Sequence, residues 1–448
     1  MLARPSAKGL HKPRRQGAGR VRKGTVGQYG APSRGAWQRV GEFVWILAVA
    51  AVGMAVIFSR RPDAFLNPQL WAEDGGVWFQ DAYNVGPWRP LLWPHTGYFQ
   101  TFPRLVSDIG LTLPLSQLPM LDCYVAAAVQ LLPALMIASR RFGQLIPRRW
   151  VRLWLAGVYL AIPNSYELNV NLTNAQWHLA LAAVLLVVAP ALSRVGKAAD
   201  FFVLALSGLT GPFAIALAIP AWLSWLWQRS GWRLLLATAI SGFGGIQVYA
   251  LFSGQQHRPL AASIFNTSVP QTLRVLAGQV GAGLLVGEKG YAWLQPHAWW
   301  PDAAFATSGV AAVAVVYCLI RGTAGLRVFT LFAIFVLGGA LLAPASLGGP
   351  GRLAIPGYGS RYWLIPMLAL AACLTWMLGR ERVWFARVLA AAAVATMLGV
   401  GMRLDWVYEP LPNLHFGHYA LQFAKAAPGS VVRIPINPPS WTMVLIKH

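Results

Sequence analysis

The sequence predicts an all-α polytopic fold of about eleven transmembrane helices with long extracytoplasmic loops. Three observations predict it. The 448 residues are 56% hydrophobic and only 11% charged, against roughly 25% charged in a soluble domain. Apolar runs near the length of a bilayer crossing, about 20 residues, recur along the chain. Arginine-rich links and long, arginine-poor polar links alternate between those runs, as the positive-inside rule requires.

The net charge of +23 is read the same way. Its basic residues sit in an N-terminal tail and in short links, so they mark orientation in a membrane and exclude nucleic acid as the expected partner. Residues 1–40 hold Arg4, Lys8, Lys12, Arg14, Arg15, Arg20, Arg22, Lys23, Arg34 and Arg39 and no acid. They are expected to form a disordered cytoplasmic tail. The apolar stretch after them lacks a small-residue cleavage site and reads as an uncleaved first span. Cys123, Cys318 and Cys373 lie far apart inside apolar runs and read as small core residues.

The expected spans are 42–59, 122–138, 151–163, 175–191, 200–209, 213–228, 234–252, 303–320, 328–343, 361–378 and 384–401. The first polar loop, 60–121, includes a stretch, 106–118, expected to lie flat as an amphipathic helix. The fifth span breaks at Thr210-Gly211-Pro212. A second large loop, 253–301, carries an apolar piece at 275–286. A Gly/Pro-rich loop, 346–360, precedes the tenth span. Residues 403–448 form a small polar C-terminal segment with a strand-like run, 431–436, that is expected to cover the site. With the N-terminus cytoplasmic, the basic clusters at 139–152, 194–197, 229–233, 321–327 and 380–387 all fall inside. The long loops and the C-terminus then fall on the extracytoplasmic side of an inner (plasma) membrane. A membrane domain of 41–402 follows, and no internal repeat interrupts it.

Functional chemistry is concentrated in 71–104. Of 14 acidic residues in the chain, Glu73, Asp74 and Asp81 fall here, with Gly75-Gly76, His95, Tyr98 and Arg104. Carboxylates near mid-bilayer cost about 2.5–3.5 kcal/mol on insertion scales. Here the acids keep to span ends, which argues against a proton-coupled transporter and for a site at the membrane surface. A partly desolvated acid near an arginine serves as a general base, and the sequence leaves open whether Glu73 or Asp74 points inward. Gly75 and Gly76 are read as allowing close approach of backbone to substrate. Extracytoplasmic cations suited to a phosphate leaving group are Arg89, Arg104, Arg258, Lys289, Arg352 and Arg361, with Arg361, Arg104 and Arg352 preferred. Asn169, Asn171, Asn174, Gln176, Trp177 and His178 form an amide and aromatic cluster suited to sugar hydroxyls, with Tyr98 and His95 as further candidates. No His/Cys/carboxylate spacing marks a metal site, and there is no D-x-D, P-loop or G-x-G-x-x-G.

An acidic pair in the first outer loop, an Asn-rich loop before Gln176-Trp177-His178, the Thr210-Gly211-Pro212 break and the Gly359-Ser360-Arg361-Tyr362 entrance together resemble bacterial GT-C glycosyltransferases. The nearest likeness is to the multispan O-antigen-type glucosyltransferases, spread over 42–402. The resemblance implies a GT-C-like fold, a polyprenyl-phosphate-sugar donor, a glycan or lipid acceptor, inversion at the anomeric carbon and catalysis outside the cytoplasm. It implies Asp74 as the base, with Glu73 the alternative, and donor phosphate held by arginines such as Arg361. Some members use a divalent metal, which stays open here. Two other classes are weighed: a lipid-linked oligosaccharide flippase or other transporter, and an O-antigen ligase or polymerase, which relies on Arg and His rather than on an acid.

Overall fold

The computed structural model describes residues 34–253, 269–342 and 350–448. Each expected apolar segment is a helix. They are α1 (Arg34–Arg60), α2 (Leu118–Ala138), α3 (Arg149–Ala161), α4 (Ala175–Val188), α5 (Arg194–Gly208) and α6 (Phe213–Gln228). The rest are α7 (Gly231–Ser253), α8 (Trp300–Arg321), α9 (Ala324–Leu342), α10 (Ser360–Arg380) and α11 (Trp384–Thr396). Among the described residues seven helices are long and apolar enough to cross a membrane: α1, α2, α7, α8, α9, α10, and α11 with its continuation to Leu404.

The other four are consecutive. Helices α3 to α6 have 13, 14, 15 and 16 residues, or about 20–24 Å at 1.5 Å per residue. That falls short of a hydrocarbon core of about 30 Å. Helix α4 explains how short helices are accommodated. All of its residues are buried, and it packs against α2, α5, α6, α9 and α10. Its apolar residues run all round rather than along one stripe, as they must in a helix enclosed by protein on every side. The segment leading into it, 162–175, is irregular and buried apart from Tyr166, Glu167 and Thr173. Irregular backbone at such depth is tolerated only inside protein or against a cavity, because lipid cannot satisfy its polar groups.

The tail expected over residues 1–40 lies outside the described residues as far as 33, as does Arg258. From Arg34 onward the chain is already helical, so the first helix begins well before the expected boundary at 42. The chain divides between Phe43 and Val44 into two units, and of the first only the start of α1 is described. The flat helix expected over 106–118 occurs earlier, at Thr101–Gly110. Its amphipathic pattern places Arg104, Val106 and Ser107 inward. It ends in a turn through Pro114, whose fixed φ and missing N–H break the helix.

The C-terminal segment folds as a helix (Phe416–Lys425) and an antiparallel hairpin of β1 (Val431–Ile436) and β2 (Trp441–Ile446), registered Val431 to Ile446 and Ile436 to Trp441. Alternation puts Val432, Ile434, Ile436, Met443 and Leu445 inward. They share a small core with Leu70, Phe79, Leu118, Phe416 and Phe423. The hairpin therefore sits on the chain just around Glu73 and Asp74. Asn437 accepts a hydrogen bond from the Ala72 amide and donates to Leu70 O at 3.1 Å.

The bundle has two chemically distinct ends. At one, Arg141 pairs with Asp200 at 2.8 Å, while Arg152 and Arg233 donate to carbonyls of Ile146 and Val187. At the other lie the ends of α1, α3 and α5, the starts of α4, α6 and α10, and most of the acids.

Candidate active site at the mouth of the central helix

Glu73 and Asp74 follow Ala72, which holds the left-handed φ of 43°. A non-glycine residue there is uncommon. The Asn437 contact with its amide and the parallel bridge from Trp71 to Asn437 hold it in place. The two neighbouring acids then point to different environments.

Asp74 is 2% exposed. Its Oδ1 accepts from the Thr173 amide at 2.8 Å and the Thr173 hydroxyl at 2.7 Å, and its Oδ2 from the Leu172 amide at 3.3 Å. Burial pushes its pKa up, and the bonds from Thr173 pull it part of the way back. All these bonds tie the first loop to the mouth of α4. Trp78 Nε1 adds a bond to Thr173 Oγ1 at 3.2 Å.

Glu73 is half-buried. Burial raises its pKa above its ordinary value; its own backbone amide, the charge of Arg361 and the Thr173 side chain pull it down, and the charge of Glu167 pushes it up. Arg361 donates to Glu167 Oε2 at 2.8 Å and lies 5.0 Å over the Tyr362 ring. Its side chain is 27% exposed, so it is reachable from solvent. Glu73, Glu167 and Arg361 thus form one charged group contributed by three chain segments. The turn that delivers Arg361 needs Gly357 and Gly359, with φ of 75° and 64°.

The asparagine loop is built around Glu167. Its carbonyl accepts from Asn171 Nδ2 and Asn174 Nδ2, both at 2.7 Å, and its amide donates to Ser360 Oγ at 3.2 Å. Asn174 N donates to Asn171 Oδ1 at 2.9 Å, and Gln176 Nε2 to Thr173 O at 3.2 Å. Val170 has φ 59° and Asn164 φ 50°; for a β-branched residue this is a marked outlier, and such strain gathers at functional sites. Among the described residues, the buried atoms Asn174 Oδ1 and Trp177 Nε1 have no hydrogen-bond partner. They lie within one helical turn at the mouth of α4. The Trp177 ring is 5.7 Å from Tyr362, the neighbour of Arg361. A buried acceptor and a buried donor left unpaired each cost about 1–3 kcal/mol, and such atoms in a folded protein require an explanation.

The structure therefore brings together Glu73, Asp74, Asn171, Asn174, Gln176, Trp177 and Arg361. Other expected residues are placed differently. Arg104 is 3% exposed, donates to Asp81 Oδ2 at 3.0 Å and packs 4.9 Å from the Trp78 ring, with its Nε unpaired among the described residues. His95 stands edge-on to Trp78 at 5.0 Å and pairs with Tyr98 across a tight turn, one layer behind Asp74. His178 is held between the Tyr159 hydroxyl at 2.8 Å and Leu168 O at 3.0 Å, so both its ring nitrogens are engaged in the bundle. Arg352 is exposed on the turn Pro350–Ala354. The glycine pair has a packing role: a Cβ at Gly75 would lie 3.1 Å from Ile436 Cδ1, and one at Gly76 3.1 Å from the Trp441 ring. These glycines admit the C-terminal hairpin rather than a substrate.

Thr173, Glu167 and Asp122 lie next to the expected residues without having been among them. Glu167 had a legible signal, a lone acid among asparagines in a loop facing the Arg361 entrance. Asp122 has none: it is 3% exposed at the start of α2 with both carboxylate oxygens unpaired among the described residues, and close enough to Asp74 to interact with its charge. Among the described residues no three of His, Cys, Asp and Glu are grouped so as to hold a metal ion. No protein-family model matches the chain, and no curated protein matches it.

Proposed function

We propose that this chain is an integral membrane glycosyltransferase of GT-C type, with eleven spans and a cytoplasmic N-terminus, moving a sugar from a polyprenyl-phosphate donor to an extracytoplasmic glycan or lipid acceptor. The observation that carries the reading is the unpaired buried couple Asn174 Oδ1 and Trp177 Nε1 beside the Glu73, Glu167 and Arg361 group. A sugar hydroxyl both donates and accepts, so one hydroxyl satisfies both kinds of atom. A carboxylate and a guanidinium next to it are the two charges that glycosyl transfer from a phosphate uses.

Glu73 is the base in this reading, because Asp74 is occupied with Thr173 and Leu172. Glu73 takes the proton from the acceptor hydroxyl as its oxygen bonds to the anomeric carbon. The bond from that carbon to the phosphate oxygen breaks on the opposite face, and the phosphate leaves with the electron pair. Arg361, oriented by Glu167, stabilises the charge that grows on the leaving oxygen.

The test compares Glu73→Gln with Asp74→Asn in protein purified with native lipids. Loss of a general base costs about 10²–10⁴-fold in turnover. Glu73→Gln should lose that much while mass spectrometry still finds polyprenyl-phosphate sugar co-purifying. Asp74→Asn should chiefly lower thermal stability, since its amide would face the Leu172 N–H. In wild type the activity should rise with pH through the Glu73 titration, above that group's ordinary value. Full transfer by Glu73→Gln rules out its role as base; absence of any polyprenyl-phosphate species, with no transfer, rules out the enzyme class.

A further inference from the structure

The helix Gly283–Leu294 is broken at Gly287, whose φ of 77° and ψ of 179° are not helical. The break releases backbone N–H groups that a continuous helix would have used. Asp405 takes them. Its Oδ2 accepts from the Glu288 amide at 2.6 Å and from the Asn164 amide at 2.9 Å, and its Oδ1 from the Lys289 amide at 3.4 Å. Asp405 is 1% exposed. It acts as an N-cap for the second half of the helix, supplied from a distant part of the chain. Gly287 is required on two counts, since it holds φ of 77° and a Cβ there would stand 2.6 Å from Asp405 Oδ2.

What this corner presents is Glu288. Its carboxyl lies directly over Gly357, where a Cβ would come within 2.2 Å of its Cδ. Gly357 belongs to the turn that delivers Arg361. The carboxyl also feels the charges of Asp405, Glu167, Lys289 and Glu409. No hydrogen-bond partner for it occurs among the described residues, although it is half-buried. Two glycines and a buried aspartate therefore hold an unpartnered carboxyl over the turn that leads to Arg361, where the charge of Glu167 reaches it.

We propose that Glu288 is a third wall of the site and hydrogen-bonds a hydroxyl of the transferred sugar, so that it sets which sugar the site accepts; this rests on the glycosyltransferase reading. Burial and the surrounding acids push its pKa up to about 7. At neutral pH a large fraction of the carboxyl is therefore protonated and can donate as well as accept. Its placement away from the first loop separates it from Glu73, which is left as base. Specificity follows from polar satisfaction: a sugar whose hydroxyl points elsewhere leaves the half-buried carboxyl unpaired, and sites built this way reject the wrong isomer strongly.

The experiment uses the full chain in lipid nanodiscs with undecaprenyl-phosphate-linked glucose, galactose and mannose as donors. Glu288→Ala should raise KM for the preferred donor about tenfold, the factor for one hydrogen bond near 1.4 kcal/mol, with a smaller change in kcat. It should also shrink the ratio of kcat/KM between the preferred donor and its epimers. Glu288→Gln, which also donates and accepts, should stay within about threefold of wild type at pH 7 and lose the pH dependence of KM around neutrality. Gly357→Ala keeps the carboxyl but displaces it, and should reproduce the loss of donor preference; it decides the matter where Glu288→Ala is poorly folded by size-exclusion profile. A wild type that transfers, with folded Glu288→Ala and Gly357→Ala variants of unchanged KM and preference, overturns the assignment. A wild type that transfers from none of the donors overturns the glycosyltransferase reading and this inference with it.

Discussion

Arg60 is the last residue of α1 and is 1% exposed. No carboxylate pairs with it among the described residues. Its guanidinium donates to Leu160 O at 2.7 Å, Ile162 O at 2.9 Å, Asp405 O at 3.1 Å, Trp406 O at 3.3 Å and the Tyr408 hydroxyl at 2.9 Å. Those carbonyls belong to the end of α3 and to the chain after α11, so one fork of donors joins three segments directly below the asparagine loop. In the expected orientation Arg60 runs against the positive-inside pattern, and its hydrogen bonds give the reason: its charge serves packing. Arg60→Met should cost about 3–5 kcal/mol, because three or more buried carbonyls lose their donor at about 1–3 kcal/mol each. Arg60→Lys should recover little, since an ammonium cannot span the same fork. The check is the temperature at which each variant loses its monodisperse size-exclusion peak in detergent. An Arg60→Met protein that melts with wild type would show that water replaces the guanidinium.

At the scale of elements, the apolar runs made all of the bundle helices legible, because period and length are local properties. What those helices do was legible less often. Helix α4 reads in sequence like any other span, and only its neighbours show that it is enclosed and shorter than a crossing. Glu73, Asp74, Asn174 and Trp177 stood out in the sequence as candidates, from composition against an apolar background. The different surroundings of Glu73 and Asp74 were not legible, because the bonds that bury Asp74 come from Thr173, roughly a hundred positions away. The pairings of Arg104 with Asp81 and of His178 with Tyr159 were not legible for the same reason: both are set by packing. Gly75 and Gly76 are the clearest case, since a glycine pair near acids looks like a substrate cradle, and the hairpin that fills it is coded at 431–446. That contact gives a direct test. Gly75→Val adds bulk where Leu70 Cδ1 is already 2.9 Å and Ile436 Cδ1 3.1 Å from a bare Cβ. Overpacking of this kind costs about 1–3 kcal/mol. Limited proteolysis should then cut within 403–448 well before the bundle is cut; equal protection of wild type and variant would mean that the hairpin does not depend on this seam.

At the scale of the whole molecule, the charge sorting is what turns a helix bundle into an oriented one. One end carries Arg140, Arg141, Arg148, Arg149, Arg152, Arg194, Lys197, Arg229 and Arg233, further arginines after α8 and α10, and few acids. The other carries the Glu73, Glu167 and Arg361 group and the Asp405 corner. The irregular buried loop before α4 lies at that acidic end. In the proposed reaction the lipid-linked donor reaches these groups from the leaflet that the acidic end faces. The orientation expected from the positive-inside rule puts that leaflet outside the cytoplasm. Single-cysteine labelling decides it with little background, because Cys123, Cys318 and Cys373 are all buried. In whole cells or sealed right-side-out vesicles, Pro350→Cys should react with a membrane-impermeant maleimide. Trp150→Cys, at an exposed position on the basic end, should react only after permeabilisation. The reverse pattern would put Glu73 and Arg361 in the cytoplasm. Their geometry would stand, but a nucleotide-activated sugar would then replace the polyprenyl-phosphate donor as the natural substrate to test.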